Sequence, residues 1–76
     1  MSETADMHGP IDAVNCGPFQ CSLYMHNSGI QFQVTGVGMF DISDLEVGSS
    51  RMFATAGQTA SLRLRRLGPM HFVIKT

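Results

Sequence analysis

The chain has 76 residues, a net charge of −1 and only 14% charged side chains, against about 25% in an average soluble protein. A chain this short forms one domain that buries about 60–65% of its unfolded surface, which leaves little room for a catalytic cleft beside a core. A pI near 6.2 lacks the strongly basic balance of a general nucleic-acid binder, and no run of ~18 apolar residues reads as a membrane-spanning helix.

Residues 1–17 show neither a helical nor a strand period and end at Gly17-Pro18. They read as an N-terminal arm, disordered alone or ordered on a neighbour, ahead of a small β domain over 18–76. All three prolines follow glycine, at Gly9-Pro10, Gly17-Pro18 and Gly68-Pro69, and each pair marks a turn or a boundary.

From Phe19 the pattern is that of strands. Phe19, Cys21, Leu23 and Met25 alternate with Gln20, Ser22 and Tyr24, and HNSG (26–29) supplies turn chemistry. A second strand buries Ile30, Phe32 and Val34. Its phase then slips at Thr35-Gly36, where a β-bulge would bring Val37 and Met39 inward. Ser43 and Glu46 have the spacing of a capping box and predict a short helical turn before Gly48. RMFATA (51–56) reads as a third strand with GQT (57–59) as its exit turn. SLRLRRL (61–67) and MHFVIKT (70–76) form a terminal hairpin around Gly68-Pro69, with a second bulge at Arg65-Arg66 that returns Leu67 inward. The expectation is an all-β fold: a small five-stranded barrel or β-roll of SH3-, OB- or Sm-like type with a flexible N-terminal arm. Its core is predicted to hold Phe19, Leu23, Phe32, Val34, Leu62, Leu64, Phe72 and Ile74.

The charges are segregated. No lysine or arginine precedes Arg51, and no aspartate or glutamate follows Glu46. On the terminal hairpin Arg63 and Arg65 project outward together, roughly 7 Å apart, with Lys75 on the partner strand. Arg51, Arg63, Arg65, Arg66 and Lys75 are therefore the candidate partner-binding residues. Carboxylates are the expected counterpart, supplied within the chain by Asp41, Asp44 and Glu46, by the arm's Glu3, Asp6 and Asp12, or by a neighbouring copy. Phosphate is the alternative counterpart, since guanidinium forks also suit phosphate oxygens.

Other chemistry is thinly represented. Cys16, Cys21 and His26 are spaced C-x₄-C-x₄-H, unlike the paired C-x₂-C of zinc modules, and Cys21 falls on an apolar face. Neither G-x-S-x-G nor H-E-x-x-H occurs, and TGVG (35–38) is too short for a phosphate loop. No catalytic residue, metal or cofactor is assigned. Two cysteines fit a reducing compartment, and MSETADMHGPID has no basic or apolar leader region, so a cytoplasmic or virion-associated protein is expected.

Two stretches resemble known families. LYMHNSGI…GMFD (23–41) loosely resembles the strand–turn–strand of Sm-fold RNA-binding proteins, with a different glycine-to-FD spacing. FDIS (40–43) resembles a fragment of the second motif of PilZ cyclic-dinucleotide domains, without the arginine motif that precedes it there. Neither covers a third of the chain, and no functional residue is carried over. The reading is a non-enzymatic assembly subunit or protein-binding module of bacterial or viral type, working through the arm and the basic hairpin on a protein partner or copies of itself. The alternative is a small β-barrel that binds nucleic acid or a nucleotide through Arg63, Arg65, Arg66 and Lys75.

Overall fold

In the computed structural model, which describes residues 2–54 and 60–76, apolar alternation is expressed as eight strands and no helix among those residues. They are β1 (Thr4–His8), β2 (Ile11–Cys16), β3 (Phe19–His26), β4 (Gly29–Val34), β5 (Gly38–Asp41), β6 (Ser50–Ala54), β7 (Ser61–Arg66) and β8 (His71–Lys75). Two antiparallel four-stranded sheets result, ordered β1-β8-β7-β6 and β2-β3-β4-β5. Their inner faces share one core, in which all eight residues expected there are buried, joined by Met7, Cys16, Cys21, Ile30, Ile42, Leu45 and Phe53. Phe53 of one sheet meets Phe32 and Phe40 of the other at ring-centroid distances of 5.2 and 4.7 Å. Such aromatic pairs add about 0.5–1.5 kcal/mol beyond the area they bury. The architecture is thus two packed sheets, not a closed barrel, and has eight strands instead of five.

The three additional strands have separate origins. Where a bulge was expected, Thr35–Val37 form a turn, closed by the Val37 N–H donating to the Val34 carbonyl at 2.9 Å. The long second strand is therefore a hairpin of β4 and β5. The phase change sends Phe40 toward the core and leaves Met39 52% exposed. The other two replace the expected arm. β1 pairs with β8 from Thr4↔Lys75 to His8↔His71, and β2 pairs with β3 from Ile11↔Tyr24 to Cys16↔Phe19. Both are edge strands. Each buries few apolar side chains and Ile11 faces outward; β1 finds its partner more than sixty positions away, whereas β2 forms a local hairpin with β3. A radius of gyration of 11.4 Å matches the ~11 Å expected of a compact chain this long.

The N-terminal segment is tied to the C-terminus. The Glu3 N–H donates to Thr76 Oγ1 at 3.0 Å, and the Thr76 N–H donates to the Glu3 carbonyl at 2.9 Å. The Glu3 carboxylate accepts the Gly17 N–H at 2.7 Å in the β2–β3 turn, where Gly17 has a φ of 57° that favours glycine.

Ser43 makes no capping box, and its segment is a turn. Its hydroxyl accepts the Ile30 N–H at 2.8 Å and donates to Asp41 Oδ1 at 2.6 Å, latching the segment after β5 onto β4. Gly29 permits this approach, because a Cβ there would lie 2.6 Å from the Ser43 hydroxyl. The bulge expected at Arg65-Arg66 does not form. β7 pairs with β8 without interruption to Arg66↔Phe72, so Arg66 continues the inward phase of Leu62 and Leu64, and Leu67 is 47% exposed. The third strand is described over Ser50–Ala54; the expected continuation over 55–56 and the exit turn at 57–59 lie outside the described residues.

Candidate binding face

Strand alternation sorts the basic residues into three environments. Arg51 shares the inner-facing phase of Phe53 on β6, and its guanidinium pairs with Asp44 at 3.0 Å. Both side chains are substantially exposed, so the pair contributes at most about 1 kcal/mol. Arg66 lies at the end of the inner face of β7. It donates to the Leu45 carbonyl at 2.8 Å, the Pro69 carbonyl at 2.7 Å and the Gly68 carbonyl at 3.4 Å. Its guanidinium carbon also lies 5.4 Å from the centroid of the Phe72 ring. Arg66 therefore clamps two loops, the β5–β6 connection and the β7–β8 turn, through backbone oxygens.

Arg63, Arg65 and Lys75 form the third group. They share the outer face of the β1-β8-β7-β6 sheet with Thr4, Asp6, His8, Val73, Ser61 and Met52. Arg63 and Lys75 are directly opposite each other across β7 and β8, and Arg65 is opposite Val73. None of the three makes an ion pair among the described residues; the Arg63 guanidinium lies 3.9 Å from the Met52 sulfur. Two shallow depressions meet here. One, of about 320 Å³, is lined by Thr4, Arg63, Arg65, Val73 and Lys75, and the other, of about 230 Å³, by Met52, Ser61, Arg63, Lys75 and Thr76.

The acids meanwhile have local work. Glu3 accepts from Gly17, and Asp12 accepts the His8 and Ala13 N–H groups, which hold its carboxyl below the usual value. Asp41 is held low by the hydroxyl and N–H of Ser43. Asp44 faces Arg51, and Asp6 lies 3.8 Å from His71. Among the described residues, the arginines and lysine thus meet a carboxylate once, at Arg51 and Asp44, while Glu3, Asp12 and Asp41 serve the backbone and Ser43.

The second sheet presents a different outer surface. Ala13, Asn15, Gln20, Ser22, Tyr24, Gln31 and Gln33 face outward from it, without lysine or arginine. This amide- and hydroxyl-rich face accounts for much of the low charge content. Tyr24, the outward aromatic, lies here and not beside the arginines.

Cys16, Cys21 and His26 do not converge. The Cys16 thiol is buried and donates to the carbonyls of Glu3 at 3.4 Å and Ile74 at 3.6 Å. Burial, followed by the nearby Cys16, pushes the Cys21 thiol up to about 11, so it is protonated at neutral pH. His26 sits at the far end of β3 beside Ser28, roughly 17 Å along the strand from Cys21. Sequence reasoning overlooked a different group, formed by Asp6, His8 and His71, because it required the pairing of β1 with β8.

No helix among the described residues is long and apolar enough to cross a membrane. No protein-family model matches the chain, and no curated protein or solved structure matches it either.

Proposed function

We infer that the protein is a non-enzymatic binding module that takes an acidic protein segment on the outer face of its β1-β8-β7-β6 sheet. One observation carries this reading: Arg63, Arg65 and Lys75 stand together on that face with no paired acid among the described residues. Like charges directly opposite on adjacent strands are destabilising, so the Arg63–Lys75 pair weakens the free fold and is relieved when an anion docks. Protein carboxylates suit the face better than nucleic acid because it offers no Phe, Tyr or Trp ring for base stacking among its described residues. A partner other than a second copy is favoured because most of the chain's own acids already serve internal bonds.

The test is binding of a fluorescent Glu/Asp-rich peptide and of a single-stranded DNA of matched charge, each titrated at several salt concentrations. The expected result is saturable peptide binding that Arg63→Glu with Arg65→Glu abolishes, leaving the fold intact and the protein monomeric. DNA binding that exceeds peptide binding, with a salt slope of about 0.7 per neutralised phosphate, would replace this reading with the nucleic-acid one. Self-association lost in the double variant would make the partner a second copy.

A further inference from the structure

The end of the β1–β8 pair brings His71 beside two side chains, Asp6 and His8, that lie more than sixty positions before it in the sequence. His8 and His71 are direct cross-strand partners on the outer face, and Asp6 lies on the same side of β1, two residues from His8. The imidazole rings stack with centroids 4.3 Å apart and planes 15° from parallel. One nitrogen from each histidine and one Asp6 oxygen all lie within 4.8 Å of one another, and His71 Nε2 is 3.8 Å from Asp6 Oδ2. That His71 nitrogen is buried and has no hydrogen-bond partner, an unusual condition for a buried polar atom.

We propose that Asp6, His8 and His71 bind a divalent transition-metal ion of the zinc class, which staples the edge strand β1 to β8. Imidazole nitrogens with a carboxylate are a donor set for Zn²⁺ and Ni²⁺, whereas Ca²⁺ and Mg²⁺ take oxygen ligands. Ligands about 2.0–2.1 Å from a tetrahedral ion lie about 3.3 Å from each other, so the three atoms must draw together by up to about 1.5 Å and the stacked rings must turn out of parallel to aim both nitrogens at one ion. The strands already hold the backbone in place, and terminal torsions of His and Asp side chains have broad minima that permit this rotation. The ion would engage the orphaned His71 nitrogen. Asp6 and His8 are exposed, which leaves an entry path and an open position for water or a fourth ligand. It would also neutralise the one carboxylate on this outer face among the described residues, extending the positive surface toward β1. This inference stands apart from the binding reading and does not depend on it.

The experiment uses chelator-treated full-length protein titrated with ZnCl₂, NiCl₂ and CaCl₂, followed by calorimetry and thermal melting. Wild type is expected to bind one Zn²⁺ or Ni²⁺, to ignore Ca²⁺, and to melt at least about 10 °C higher when zinc exceeds its dissociation constant a hundredfold. His8→Ala, His71→Ala and Asp6→Asn should each weaken binding by about tenfold or more. His26→Ala, which alters an exposed turn histidine elsewhere, should leave it unchanged. Because His8 and Asp6 are exposed, their variants test the site even if the His71 substitution disturbs folding. Zinc binding that survives both exposed-site substitutions, or that is lost in His26→Ala, would overturn the assignment. So would an unchanged melting temperature at saturating zinc.

Discussion

Arg65 and Arg66 are adjacent in sequence and lie on opposite faces of β7. Arg65 points to solvent beside Val73, whereas Arg66 reaches three backbone carbonyls and the Phe72 ring. Hydrogen bonds from a charged donor contribute about 1.5–3 kcal/mol each at most, and these are partly exposed, so Arg66→Ala is expected to destabilise the fold by about 2 kcal/mol. Arg65→Ala should stay within about 0.5 kcal/mol. Urea unfolding of the two variants checks the contrast. Asp41 provides a second residue-scale prediction. Ser43 lowers its pKa on folding, so the stability it contributes is present at neutral pH and is lost as pH falls through the lowered value, below about 4. Asp41→Asn should therefore flatten the decline in stability between pH 4 and pH 2, measured by denaturant melts across that range.

At the scale of elements, the outcome depends on β1 and β2. Met7 is fully buried, and β1 supplies the outer hydrogen-bonded neighbour of β8. Removing residues 1–8 should therefore expose the core and a bare strand edge, and the truncated chain is expected to unfold or aggregate. Circular dichroism and size-exclusion chromatography of the truncation check this. A truncated chain as stable as the full one would mean that β1 is dispensable. The central strands were legible because one side of each is apolar and the other polar: Phe19 to Leu23, Ile30 to Val34 and Leu62 to Leu64 carry that alternation. Edge strands carry less of it. In β2 the outward Ile11 and inward Asp12 invert the pattern, and in β1 Ala5 and Met7 are the inward pair. The turn at Thr35–Val37 was misread as a bulge because both changes shift the side-chain phase by an odd number of residues.

Across the whole molecule, the two sheets present outer surfaces of different chemistry, one cationic and one rich in amides and hydroxyls. The clustering of Arg63, Arg65 and Lys75 was legible from strand alternation alone. The diversion of Arg66 inward was not, because it depends on uninterrupted pairing with Phe72, and neither was the Asp6–His8–His71 group, which depends on chain closure. On the proposed binding reading, the Arg63–Lys75 opposition is a stability penalty carried by the free protein. Arg63→Glu converts the Arg63–Lys75 repulsion into attraction, so it should stabilise the free domain by about 0.2–1 kcal/mol while impairing capture of the acidic partner. A lower melting temperature in that variant would show that the pair is not strained.

The most direct measurement is a backbone NMR titration of the isotope-labelled full chain with a Glu/Asp-rich peptide. The shifts should be saturable, concentrated at Arg63, Arg65, Val73 and Lys75, and absent when Arg63 and Arg65 are reversed to glutamate. The outer face of β2, β3 and β4 should remain still and serve as the internal control. Saturable shifts centred on Gln20, Ser22 and Gln31, with the Arg63 and Lys75 amides unmoved, would contradict the account.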